Sequence, residues 1–186
     1  MISALVAMKT DIPVTIKALV PTPQGVGVFL TDGAKTIAIF IDHFVATALT
    51  LFAKGIKPPR PLTHDLIVSI LAGFGARVQK VVINDLKDDT FFARLYLLQE
   101  SEHGRNLVEI DARPSDSMAL AIQQRCPIYV AQEVWARAGD MTWALEQAIQ
   151  QAGDEGAPPA TDDGSEGGSD TPPPESPPPQ KGIPPL

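Results

Sequence analysis

Apolar and polar positions alternate in the first part of the chain and then change period, and those changes mark out the elements. Val14 to Val20 alternates with Thr15 and Lys17 and stops at Pro21-Thr22-Pro23, the pattern of a strand closed by a turn. Gly25 to Thr31 and Thr36 to Ile41 flank Asp32-Gly33, a pair that tolerates positive φ, so they read as a hairpin. From Asp42 to Lys54 the residues Phe44, Val45, Ala48, Leu49 and Phe52 fall at helical spacing. Gly55 stands where a left-handed cap is expected.

Pro58-Pro59-Arg60-Pro61 is a stiff connector to a second helix, with Thr63 as its expected cap, Asp65 in its positive first turn and Leu62 packing on Ile67. Its predicted inward face is Leu66, Ile67, Ile70, Leu71 and Phe74, with Gly73 and Gly75 ending it. Three further strands follow, Arg77 to Leu86, Thr90 to Gln99 and Asn106 to Ala112, parted by turns at Lys87-Asp88-Asp89 and Glu102-His103-Gly104. Arg113-Pro114-Ser115-Asp116 opens a third helix, because proline suits the first helical position. It runs to Gln124, and its small residues Ala119 and Ala121 predict close approach to neighbours. Pro127 to Ala131 reads as a short strand and Thr142 to Ala152 as a last helix with Trp143, Leu145, Ala148 and Ile149 inward.

Two halves of this order are alike. Three strands ending in Ile41-Asp42 lead to a helix with Ala48-Leu49, and three ending in Ile110-Asp111 lead to one with Ala119-Leu120, which suggests a duplicated β-β-β-α unit. Strands outnumber βαβ crossovers, so the class is α+β with a mostly antiparallel sheet.

Charge divides the chain differently. The formal net charge is −7, but the stretch 152–186 carries seven carboxylates against Lys181 alone, which leaves residues 1–151 nearly neutral. That body fits one domain. The remaining stretch holds 10 prolines and 6 glycines with few apolar side chains, so it is expected to be a disordered tail. A near-neutral body excludes nucleic-acid binding through bulk basic charge, so any such activity has to be local. The single Cys126 precludes an internal disulfide and reads as a core thiol. No apolar run approaches the roughly 18 residues of a membrane helix. Residues 1–8 lack the features of a leader, so a cytoplasmic location is expected.

Candidate chemistry gathers at element ends. His64 and Asp65 stand at the start of the second helix, Asn84-Asp85 at the end of a strand, and Asp111-Ala112-Arg113-Pro114-Ser115-Asp116 at a strand-to-helix junction. A helix N-terminus attracts phosphate, Arg can fork onto its oxygens, and carboxylates a few residues apart can hold Mg²⁺ or Mn²⁺. Each motif also has a structural reading: a capped helix, a turn-forming pair, or an Asp116 cap beside an Asp111 to Arg113 ion pair. His43 and His103 read as packing and solvated residues.

Arg60-Pro-Leu-Thr-His-Asp-Leu66, Val81-Val-Ile-Asn-Asp-Leu86, Thr90-Phe-Phe-Ala-Arg-Leu95, Ile110-Asp-Ala-Arg-Pro-Ser-Asp116 and Pro127-Ile-Tyr-Val130 together resemble the bifunctional nuclease domain. The resemblance implies action on DNA and RNA and carries to His64, Asp65, Asp85, Asp111, Arg113, Ser115 and Asp116. One expectation is a metal-assisted phosphodiesterase in which Asp111 and Asp116 hold Mg²⁺ or Mn²⁺, Arg113 neutralises phosphate and His64 moves a proton. The other is a non-catalytic interaction or ligand-binding module. In either case the compact apolar body suggests a homo-oligomer.

Overall fold

The computed structural model describes residues 11–102 and 104–154. The expected tail, except for the residues that finish the last helix, and His103 lie outside them. Seven strands form one sheet: β1 (Ile12–Thr22), β2 (Gly25–Thr31), β3 (Thr36–Ile41), β4 (Ala76–Lys87), β5 (Thr90–Ser101), β6 (Gly104–Ala112) and β7 (Ile128–Val130). Their order is β3-β2-β1-β7-β4-β5-β6. Every pairing is antiparallel except β4 with β7.

Each half is an antiparallel meander followed by a helix, as the repeated β-β-β-α pattern predicts. The three residues of β7 join the halves: Ile128 and Val130 sit opposite Val14 and Ile12 on one side and beside Val81 and Ile83 on the other. The joint is dry, with Val81, Ile83 and Val130 fully buried. In β2 all but the last residue is buried, which explains its continuous apolar run rather than alternation. Asp88 and Asp89 both adopt positive φ, 46° and 58°, the geometry that turns β4 tightly into β5.

Five helices complete the chain: α1 (His43–Ala53), α2 (Thr63–Gly73), α3 (Pro114–Gln124), α4 (Gln132–Arg137) and α5 (Thr142–Asp154). Helix α3 is central. It buries Ser117, Met118, Ala119, Leu120 and Ala121 and packs on α1, α2, β4 and β5, where its alanines allow the close approach expected of them. No helix among the described residues is long and apolar enough to cross a membrane.

The structure corrects several expectations. Thr63 is the first helical residue and not the cap. Leu62 holds the cap position, and the Asp65 carboxylate reaches back to accept its N–H at 2.7 Å. Of the face predicted for α2, Ile67 and Leu71 pack on the core, whereas Leu66, Ile70 and Phe74 are exposed. Trp143 at 67% exposure and Ile149 at 53%, both expected inward on α5, also face outward. Helix α4 was not anticipated. Its six residues are too short for a visible period, and it is fixed by tertiary bonds: Ala131 N–H donates to Ile83 O, and Lys35 Nζ donates to the carbonyls of Trp135 and Ala138.

Candidate functional site

The junction of β6 and α3 builds the polar end of a cleft among the described residues. Arg113 occupies the N-cap in an extended conformation, and Pro114 follows in the first turn, where its missing N–H costs nothing. The first-turn N–H groups of a helix have no acceptor within the helix, and no side chain caps them here. Asp116 does not cap the helix. Its carboxylate instead accepts Arg113 Nε at 2.9 Å and Nη2 at 3.4 Å. That bond and the carboxylate charge hold the exposed guanidinium still more firmly protonated.

His64 approaches from α2. Its Nε2 lies 3.5 Å from Asp116 Oδ1, and its ring is buried, meeting Phe52 edge-on with centroids 5.8 Å apart. The result is a line of imidazole, carboxylate and guanidinium in which His64 of α2 joins the i,i+3 pair Arg113 and Asp116 of α3. It borders a cleft of about 790 Å³ whose walls are largely apolar: Phe44, Ala48 and Leu51 of α1, Ile67 and Leu71 of α2, Leu95 and Leu97 of β5, and Ile110 of β6. A few polar groups in an apolar cleft is the usual composition of a ligand site.

Asp111 also borders this cleft, but the strand register determines where its side chain goes. Ile110 pairs with the buried Leu95, and Asp111 pairs with Arg94. Side chains alternate along a strand, so Ile110 and the Asp111 carboxylate leave β6 on opposite faces. Asp111 and Asp116, expected as a metal pair, both border the cleft, and strand alternation brings the two carboxylates to it from different directions. Among the described residues no group of three or more His, Cys, Asp and Glu side chains is placed to hold a metal ion.

The remaining candidates are elsewhere. Asp65 is occupied on both oxygens, by Leu62 N–H and by the Gln123 amide, and so locks α2 to α3. Asp85 is held by Lys87 at 2.7 Å, Arg137 at 3.2 Å and Leu86 N–H at 2.8 Å. The hydrogen bond from Lys87, then that from Leu86, keeps its carboxyl below the usual range. Ser115 is buried and lines a second cavity of about 360 Å³ with Asp42, Asp89 and Phe91, which Arg113 also reaches. Sequence reasoning missed Gln123, Asp42 as a charge felt by Arg113, and Phe44 at the cleft wall. Only Asp42 carried a signal, as an expected helix start.

Cys126 is half-buried, and burial pushes its thiol up to about 11, which fits a core thiol and not a nucleophile.

Residues 28–142 match the bifunctional nuclease domain. An uncharacterized protein of Mycobacterium tuberculosis is 41% identical over 123 residues, covering 64% of this chain and 71% of that protein. Bifunctional nuclease 1 of Oryza sativa subsp. japonica is 26% identical over 106 residues, or 56% of this chain and 32% of the rice protein. Bifunctional nuclease 2 of the same plant is 26% identical over 102 residues, covering 54% and 31%. The chain thus spans about a third of the rice nucleases. The matched segment runs from β2 through the β6 to α3 junction to the start of α5, and so contains His64, Arg113 and Asp116; with a family match over more than half its length, this chain belongs to the bifunctional nuclease domain family.

Proposed function

We propose that the chain cleaves phosphodiester bonds in DNA and RNA at the polar end of this cleft. One observation carries the reading: His64, Asp116 and Arg113 meet at the N-terminus of α3 on the border of one cavity. Two guanidinium N–H groups hold Asp116, which leaves the remaining donors of the fork for a phosphate, beside first-turn N–H groups that favour an anion. Asp116 Oδ1 lies 3.5 Å from His64 Nε2 and so orients the imidazole, which in this reading carries the proton released by the attacking group. The apolar walls accept an unstacked base, which favours single-stranded substrate.

Mg²⁺ or Mn²⁺ belongs to the proposal through Asp116, the carboxylate between His64 and Arg113. With no three-donor group among the described residues, the rest of its shell would be water and phosphate oxygens, the manner in which Mg²⁺ is often held. When bound, such an ion neutralises charge on phosphate and acidifies a water. The rival reading, a non-catalytic binding module, draws support from the apolar lining of the cleft.

Activity decides between them. Purified chain is expected to cut single-stranded DNA and RNA with Mg²⁺ or Mn²⁺ and to stop in chelator. Asp116→Asn and His64→Gln should each lower the rate at least about a hundredfold, roughly 2.7 kcal/mol of transition-state stabilisation, with the fold kept. Asp111→Asn should change it by less than about threefold, because its carboxylate comes from a different direction and is not part of the line of His64, Asp116 and Arg113. Full activity in the Asp116 and His64 variants, or cleavage that does not follow the protein through purification, leaves the binding-module reading standing.

A further inference from the structure

The sheet ends at β6, whose neighbour in it is β5 alone. Its residues are exposed or half-exposed throughout, including Leu107 at 56%, Ile110 at 41% and Val108 at 39%. Proteins usually protect such an edge with a short strand, a bulge, proline or lysine. Strand β6 has nine residues, no proline or lysine, and pairs with β5 without a register shift, and its charges, Arg105, Glu109 and Asp111, are of both signs and so can attract a second copy rather than only repel it. The opposite edge is treated differently: β3 has six residues, and Met141 N–H donates to Thr36 O at 2.7 Å, so the segment before α5 covers part of it.

We infer that two copies of this chain pair antiparallel through β6 about a two-fold axis at Val108. The strand is self-complementary in that register. Arg105 falls opposite the partner's Asp111, twice by symmetry, while Asn106 faces the partner's Ile110 and Leu107 the partner's Glu109. Side chains on one sheet face must pair with the same face, so the register can move only in steps that keep this parity. Centring on Glu109 sets like charges against each other at the axis. Centring on Leu107 also opposes Arg105 to the partner's Glu109 but leaves Asp111 and Ala112 beyond the partner strand, so the Asp111→Arg variant separates the two registers. Arg105 is already steadied by Glu100 at 2.9 Å, and Asp111 leaves β6 on the face opposite Ile110 and outside the line of His64, Asp116 and Arg113, so neither is diverted by the site. The inference does not rest on the nuclease reading.

Light scattering and sedimentation of the full chain test it. The expected mass is twice 19.9 kDa. Arg105→Asp and Asp111→Arg, taken singly, oppose like charges and should raise the dimer dissociation constant about tenfold or more. The double variant R105D/D111R restores the pairing and should recover the dimer. Loss of the Glu100 contact is common to R105D and the double variant, so recovery reports the cross-strand pair itself, and melting curves confirm that each variant is folded. A monomer at about 100 µM, an assembly other than a dimer, a dimer indifferent to the single changes, or a double variant that stays apart overturns the proposal.

Discussion

Arg113 gives two N–H groups to Asp116 and still presents an exposed, firmly charged fork to solvent. The Arg-Pro-Ser-Asp string made that arrangement partly legible: proline fixed the helix start, and the i,i+3 spacing brought Arg and Asp together. His64 was legible as a candidate, but its meeting with Asp116 depends on how α2 packs on α3, which no local spacing encodes. Asp111 shows the converse: the motif placed it beside Asp116 in sequence, and strand alternation then set their carboxylates in different directions. Cys126 offers a check at this scale. A thiol raised from 9.0 to about 11 carries about a hundredfold less thiolate at pH 8, so iodoacetamide should label the native chain about that much more slowly than the urea-unfolded chain. The sign for stability follows. Between pH 9 and 11 the unfolded state releases this proton and the folded state keeps it, so the unfolded state binds fewer protons and stability falls as pH rises. Native labelling as fast as unfolded labelling would show that the sulfur is not buried.

Elements were predicted well where period and punctuation agreed, as in β2, β3 and α3, whose observed bounds match the expected ones. The inward faces were less legible. Helix α2 is apolar on more than one side, so its pattern could not say that Ile67 and Leu71 pack while Leu66 and Phe74 stay exposed. The same helix separates structure from chemistry at Asp65. Its carboxylate ties the start of α2 to its own backbone and to Gln123 of α3. Asp65→Ala should therefore cost about 1–2 kcal/mol in urea unfolding. Because that loss loosens the helix carrying His64, activity should fall only when temperature nears the lowered midpoint. At low temperature the rate should stay within about threefold of the parent. A hundredfold loss in a fully folded Asp65→Ala protein would place Asp65 in the chemistry after all.

At the scale of the whole molecule, the three residues of β7 join the two meanders into one sheet and α1 packs on α3 across them, so that His64, carried by α2 on β4 and α3, also meets Phe52 of α1. The order of elements implied the two halves, but β7 between them was invisible as a joint: a three-residue strand carries no period, and its parallel contact with β4 is made only on folding. Charge divides the molecule along a different line. Almost all of the net −7 resides after residue 151, in a stretch whose proline, glycine and carboxylate content predicts that it adds no packed surface. A chain ending at Asp154 keeps all of α5 and every contact described above. It should melt within about 5 °C of the full chain, since a larger shift corresponds to more than about 1 kcal/mol for a domain of this size. Its cleavage of single-stranded substrate should be equal to or somewhat faster than that of the full chain at low salt, because the acidic stretch repels a polyanion, and the difference should fade as salt screens that repulsion. Calorimetry and initial rates at two salt concentrations measure both effects. A melting point lowered by more than that margin, or activity lost on truncation, would mean that the acidic stretch packs on the domain and belongs to its working structure.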